Sequence, residues 1–260
     1  MLLKGKTALV YGVGAVGSAV AAAFAREGAL VVLIGRSGAT LERTAAGIRA
    51  AGGRAEIATV DALDPQAVES HLGRVTADFG RVHVMFNAVG WDDVQGRPLA
   101  QMGAEEVVGV VTRAVTTWFV TGTAVARHMA LQGGGVIIGI TATPARQPLA
   151  LVGGFGAACA AVENLLRQLA VENGPAGVRV CFVRSAGSPE TPGLAEVFTH
   201  QAREEGKSMD ELLEDYGARS PLGRLPTLAE VADAAVLLAS DYARGMTATL
   251  ANVTCGAYID

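Results

Sequence analysis

Lys6-Thr7-Ala8-Leu9-Val10-Tyr11-Gly12-Val13-Gly14-Ala15-Val16-Gly17-Ser18-Ala19-Val20-Ala21-Ala22-Ala23-Phe24-Ala25-Arg26 is the stretch on which the fold turns. Thr7 to Tyr11 is a short, apolar, β-rich run, which reads as a strand buried on both faces. Ser18 to Glu27 is alanine-rich with charge only at its end, which predicts a helix stopped by Gly28. Between them, Gly12, Gly14 and Gly17 serve three separate needs, namely a tight turn, a close backbone approach to a pyrophosphate, and close packing of helix on strand. A helix N-terminus placed there offers unpaired N–H groups and partial positive charge to a phosphate. The basic start and apolar middle of residues 1–25 also match a secretory leader, and the run from Thr7 to Ala25 is long enough for a membrane span. Glycines at 12, 14 and 17, and the strand–helix alternation that follows, argue against both.

A chain of 260 residues suits one α/β domain with a sizeable core. Charged residues make up 18%, below the usual ~25%, and 50% are hydrophobic, so helix faces should be buried between subunits as well as within one. A homodimer or homotetramer is expected. The net charge of −4, with no basic block, leaves no electrostatic footprint for nucleic acid or an anionic membrane. Cys159, Cys181 and Cys255 have neither metal nor disulfide spacing, so no metal is expected and a reducing cytoplasm fits best.

Outward from the glycine turn, strands and helices alternate. Leu30 to Ile34 is a second buried strand, closed by Gly35-Arg36-Ser37, where a dinucleotide fold selects its cofactor. An Asp or Glu there would meet the ribose hydroxyls of NAD, whereas Arg36 is a cation suited to a 2′-phosphate, so NADP(H) is preferred over NAD(H). The competing reading of Arg36 is a solvated loop charge. A helix from Thr40 to Ala51 leads to a third strand, Ala55 to Val60, ending in Asp61, where an acceptor could meet adenine. Asp64 with Pro65 reads as an N-cap and first helical position. Val82 to Phe86 is the fourth strand, stopping at Asn87-Ala88-Val89-Gly90, and a loop with Asp92 and Asp93 leads to a long helix, Ala104 to Leu131. Val136 to Ile140 is the fifth strand, followed by Thr141-Ala142-Thr143, a helix from about Val152 to Asn173, and a sixth strand, Val178 to Val183. Residues 184–226 read as an irregular substrate-loop insertion with one helical segment, whose start is marked by the Ser208/Glu211 capping box. Thr227 and Glu230 cap a last helix reaching Ser240, and Thr249 to Val253 closes the sheet. No second domain and no internal repeat is visible.

The glycine turn, Asp61 before Asp64, Asn87-Ala88-Val89-Gly90, Gly187 to Thr191-Pro192 and Ser220-Pro221-Leu222-Gly223-Arg224-Leu225, in this order and spacing, resemble the short-chain dehydrogenase/reductase family over essentially the whole chain. The resemblance implies an α/β, doubly wound Rossmann-type fold: a seven-stranded parallel sheet with helices on both faces. It implies cofactor contacts at Gly12, Gly14, Val16, Gly17, Arg36, Ser37, Asp61, Ala62, Asn87, Ala88, Gly90 and Thr191. Tyr11 stands where the family's turn has a threonine, and the loop is one residue shorter. The family's acid/base tyrosine, its lysine, its serine and its asparagine map onto Phe155, Cys159, Ala142 and Ala114, so the expected group is absent at all four positions.

A tyrosine–lysine pair works because the ammonium lowers the phenol pKa and hydrogen-bonds the nicotinamide ribose, while the serine holds the substrate oxygen. Candidate substitutes are Thr141, Thr143, Asp92 and Asp93; Tyr11 is a phenol near the cofactor turn that also suits packing, and Arg184 and Ser185 after the sixth strand could touch an anionic or carbonyl substrate. Cys159 without an adjacent base reads as a small buried hydrophobe, and His128 as a surface or interface residue. Three functions stay open. One is an NADP(H)-dependent oxidoreductase on a small, largely apolar carbonyl or alcohol substrate. Another is a non-redox cyclase, isomerase or dehydratase whose pocket, lined by Phe155, Ala142, Ala114 and Trp118, orients its substrate. The third is a catalytically inactive binding or partner subunit.

Overall fold

The computed structural model describes residues 1–259, with the side chains of all but 193, 196, 197, 200 and 204. Seven strands, β1 (Thr7–Tyr11), β2 (Leu30–Gly35), β3 (Arg54–Thr59), β4 (Val84–Asn87), β5 (Gly135–Ala142), β6 (Val178–Ser185) and β7 (Thr249–Val253), form one sheet in the order β3-β2-β1-β4-β5-β6-β7. All six pairings are parallel. The fold is the expected doubly wound α/β architecture.

Apolar alternation along the strands divides the core between the two faces. Ala8 and Val10 of β1 face α1 (Ala15–Arg26), α2 (Gly38–Ala50) and α8 (Leu228–Ala239), packing on Val20, Phe24, Leu41, Ile48 and Val231. Leu9 and Tyr11 face the other way, toward α3 (Pro65–Phe79), α4 (Ala104–Leu131) and α5 (Phe155–Asn173), among Val68, Leu72, Val110, Trp118 and Val162. Residues 7–25 are therefore split between the five-residue strand β1 and a 12-residue helix, which leaves no continuous span. The helix α4 is long and apolar enough by composition to cross a membrane, but it packs along α3 and α5 against the sheet.

Capping chemistry sets several boundaries. Asp64 Oδ1 accepts from the Gln66 and Ala67 amides at 2.9 and 3.0 Å with Pro65 at the first helical position, so its role is structural. Thr227 with Glu230 and Ser208 with Glu211 form reciprocal capping boxes on α8 and α7 (Met209–Ala218).

The segment 184–226 departs from the expectation of one helix in an irregular loop. A second helix, α6 (Pro192–Glu205), precedes α7, with Thr191 at its N-cap position, Pro192 in its first turn and Gly206 in left-handed conformation at its end. The two helices pack on each other through Phe198, Ala202 and Leu212, a small apolar cluster apart from the two main ones. The helix α1 also begins earlier than expected, at Ala15, because Gly14 is already its N-cap residue.

Candidate functional site

The strand order places a topological switch at the β1–β4 pair, where the chain runs outward to β3 and then returns to the far side of β1. Helices leave to opposite faces there, and a crevice opens beyond the carboxyl ends of the strands. A cavity of about 750 Å³ occupies this position. Its walls come from the turn after β1 (Tyr11 to Gly14), the end of β2 (Ile34 to Ser37), the exit of β3 (Val60 to Leu63), the exit of β4 (Ala88 to Gly90 and Asp92), and Arg113 and Thr117 of α4.

The three glycines divide their work as the spacing requires. Gly12 has φ +81°, and a Cβ there would lie 2.5 Å from the Ala88 carbonyl oxygen, so the turn can run against β4 only without a side chain. At Gly17 a Cβ would stand 1.9 Å from the Gly12 carbonyl oxygen, which makes this glycine the condition for α1 to pack on the turn. Gly14 differs: a Cβ would meet nothing within 4 Å, because its face looks into the cavity. No side chain caps α1 and no acidic residue stands in its first turn. Its free N–H groups and partial positive charge are left to an anion.

Arg36 and Ser37 border the cavity beyond β2. Ser37 also caps α2, accepting from the Thr40 amide at 3.4 Å, whereas Arg36 is exposed and pairs with no carboxylate among the described residues. Asp61 Oδ1 accepts from the Leu63 amide at 3.0 Å, which bends the β3 exit into the cavity wall. Ala62, Ala88 and Gly90 line the cavity; Val16, Gly17, Asn87 and Thr191 do not. Val16 packs partly into the α1 side of the core. Asn87 is buried, donates to Thr121 Oγ1 at 3.0 Å and accepts from the Val89 amide at 2.9 Å, so it shapes the β4 exit. Thr191 hydrogen-bonds the Ser188 carbonyl at 2.6 Å at the start of α6.

Beside the cavity lies an apolar corner. Trp91 and Phe155 meet with ring centroids 5.8 Å apart, and Ala114, Ala158, Cys159 and Trp118 fill the space behind them. Cys159 is fully buried, and desolvation pushes its thiol pKa up to about 12 against a hydrogen bond with the Ala142 backbone. Such a thiol is protonated and inert at neutral pH. The Thr141 hydroxyl is engaged within the fold, where it donates to Glu163 Oε1 at 3.0 Å. Glu163, 1% exposed, also takes Arg184 Nε at 3.0 Å and Nη2 at 2.8 Å, with Arg167 at 3.3 Å and Arg146 at 3.6 Å. This bidentate pair ties β5, α5 and β6 together behind the corner, a role the sequence does not announce because its partners are 21 residues apart. Ser185 is buried on β6 and receives the Gly187 amide at 3.1 Å. Thr143 is buried at the start of a short 3₁₀ turn.

The two aspartates after β4 separate. Asp92 is exposed, has φ +51° and is salt-bridged to Arg113 across the cavity mouth. Asp93 is half-buried, accepts from Gln95 and bears electrostatically on Cys159. Its loop is fixed to the segment before α5, since the Gly96 amide donates to the Leu151 carbonyl at 2.8 Å and Gly153 closes on the Val94 carbonyl. His128 lies on the outer side of α4, 2.8 Å from Glu69, away from the cavity. Among the described residues no group of three or more His, Cys, Asp and Glu side chains could hold a metal ion.

A glycine turn at the switch point of a seven-stranded parallel sheet defines a dinucleotide-binding class of α/β protein. Within it, the family model described as enoyl-(acyl carrier protein) reductase matches residues 12–257. The short-chain reductase protein NovJ of Streptomyces niveus is 32% identical over 244 residues, covering 92% of this chain and 90% of that protein. A short-chain dehydrogenase/reductase structure from Burkholderia xenovorans superposes with TM-score 0.87 at 32% identity, covering 99% of both chains. A variant of actinorhodin polyketide ketoreductase, solved with NADPH, gives TM-score 0.84 at 28% identity over 97% of this chain and 98% of that one. The chain belongs to the short-chain dehydrogenase/reductase family.

Proposed function

We propose that this chain is a cytoplasmic oxidoreductase that binds NADP(H) in preference to NAD(H) and interconverts a carbonyl and an alcohol on a small, largely apolar substrate. The observation that carries the reading is the cavity at the β1–β4 switch point, with Gly14 open to it and the uncapped N-terminus of α1 at its edge. Gly12, Gly14 and the first turn of α1 would hold a pyrophosphate, Asp61 and Ala62 the base, and Arg36 with Ser37 a 2′-phosphate. The NADPH-bound ketoreductase of the same family supports a nicotinamide cofactor.

When bound, a reduced nicotinamide supplies a hydride; the chain must orient the substrate and move a proton. By the family alignment, the positions expected to do so are Ala114, Ala142, Phe155 and Cys159. Phe155 carries no proton, and the Cys159 thiol is sealed and holds its own. Asp93 is the carboxylate on the loop that packs over Phe155, and in this reading it handles the proton. Asp93→Asn should lower turnover by roughly 10²–10⁴-fold with NADPH affinity unchanged. Unaltered turnover would remove Asp93 from the mechanism.

The apolar corner itself favours a second reading, in which the pocket only orients a substrate for cyclisation, isomerisation or dehydration, or serves a binding subunit. The double variant Phe155→Tyr with Cys159→Lys separates the two. A gain of carbonyl-dependent NADPH oxidation supports an oxidoreductase site that has lost its usual proton relay. Product formed with no change in NADPH absorbance supports the second.

A further inference from the structure

Among the described residues that line the switch-point cavity there is none of Ala114, Ala142, Phe155 and Cys159, the four positions onto which the family's proton relay maps. Trp91 closes that corner. Gly90 and Asp92 on either side of it both line the cavity, whereas Trp91, 9% exposed, turns its ring onto Phe155, with Ala114, Ala158 and Cys159 fully buried behind the pair. Residues 91–98 lie in neither strand nor helix, and their ties run to a second loop, the segment before α5. The Gly96 amide donates to the Leu151 carbonyl at 2.8 Å, and Gly153 lies so close to the Val94 carbonyl oxygen that a Cβ there would collide with it. At the cavity mouth Asp92 is salt-bridged to Arg113. The two loops are joined into one unit.

Opposed forces act on that unit. Burial of the Trp91 ring and its contact with Phe155 favour the closed form. Against them, the Trp91 indole Nε1 is buried with no hydrogen-bond partner among the described residues, and an unpaired buried donor regains water when it is released. Asp92 and Leu151, one in each loop, are two of the four non-glycine residues with positive φ among the described ones, at +51° and +66°. A left-handed backbone is costly for a bulky residue such as leucine, and strain of this kind collects at ligand clamps and switch segments. The same loops carry Val94, Leu149 and Leu151, each more than a third exposed, which gives the closed corner an apolar approach.

We propose that residues 91–96 and 149–153 open as one clamp, and that Trp91 is the gate through which an apolar substrate reaches the corner beside Phe155. What enters rests on the oxidoreductase reading of the site; the movement does not. Cys159, sealed behind Trp91, reports the opening, and Cys181, buried in the core on the other face of the sheet, is its control. The test is the rate at which methyl methanethiosulfonate modifies each thiol in the whole protein, resolved by peptide mass spectrometry, in wild type, Trp91→Ala and Gly153→Ala. Both variants should speed Cys159 roughly 10-fold or more and leave Cys181 at its wild-type rate. Relative to their rates with free cysteine, this neutral reagent should outpace its sulfonatoethyl analogue at Cys159. In hydrogen exchange of the wild type, peptides spanning 91–97 and 149–154 should exchange in step. An unchanged Cys159 rate in Trp91→Ala would overturn the gate, and Cys159 and Cys181 rising together would overturn it as general loosening. Separate exchange rates for the two loops would overturn the single clamp, and equal entry of the charged reagent would overturn the apolar path. A wild type that binds no NADPH while its Cys159 responds as expected would remove the oxidoreductase reading and leave the clamp standing.

Discussion

His71 is the residue whose chemistry is most out of keeping with its surroundings. Its ring is buried on α3, Nε2 has no partner among the described residues, and burial, reinforced by Arg74, pulls its pKa down to about 4. In the unfolded chain the same ring takes a proton near pH ~6.5, so between those values the unfolded state binds more protons. Stability present above pH ~6.5 is therefore lost as pH falls toward 4, by on the order of 1–2 kcal/mol after allowing for solvent near the ring edge. His83, which accepts from the Thr7 amide and is also shifted down by burial, adds to the same limb. Urea midpoints measured from pH 7 to 4 should slope downward, and His71→Leu should flatten the slope; an unchanged slope would place the proton uptake elsewhere. None of this is legible in the sequence, because a histidine on an amphipathic helix reads as surface until the helix is placed. The glycines are legible. Gly12, Gly14 and Gly17 have separate geometric reasons, and a one-dimensional spacing encodes all three. Arg36 is legible as a cation at the end of β2, but Thr141 misleads. Its hydroxyl looks available next to Ala142, and only the fold brings Glu163 and Arg184 around to occupy it.

Elements announce themselves where local chemistry and tertiary packing agree. The five inner strands, β1, β2, β4, β5 and β6, are recognisable as apolar runs because a parallel sheet buried on both faces needs no alternation, whereas the edge strands β3 and β7 are less buried. The helix α8 is bounded correctly by its capping box, in which Glu230 closes on the Thr227 amide at 2.9 Å and Arg224 holds the Glu230 carboxyl down to about 2. Thr227→Ala should cost about 1 kcal/mol and lower the melting temperature by ~2–4 °C without altering the cavity. A larger drop would mean the cap also fixes the segment that precedes it. The helix α6 is hidden in the sequence although Thr191-Pro192 opens it and Leu194, Phe198 and Ala202 share one face at a spacing of four. Its apolar stripe is narrow and has only α7 and the neighbouring loops to meet, so the signal in sequence is correspondingly weak. A helical pair over this end of the sheet is still compatible with a cover for a substrate, but it is a folded element and not the irregular loop expected.

At the scale of the whole molecule, two long neighbouring helices carry exposed large apolar side chains. Val108, Phe119 and Leu131 of α4 and Val171 of α5 are 58, 58, 89 and 73% exposed, on two long helices that pack side by side. A homodimer or homotetramer covering these helices is the expected state, and light scattering at micromolar concentration should report it. Phe119→Asp should shift the mass toward the monomer; a monomeric wild type would leave that surface without this explanation. We propose the switch-point cavity as an NADP(H) site. Equilibrium titration of wild type and Arg36→Ala with NADPH and with NADH, followed by nicotinamide fluorescence, tests it most directly. The wild type should bind NADPH more tightly than NADH, and Arg36→Ala should lose ~10–100-fold in affinity for NADPH alone. No binding of either nucleotide at millimolar concentration would contradict that proposal.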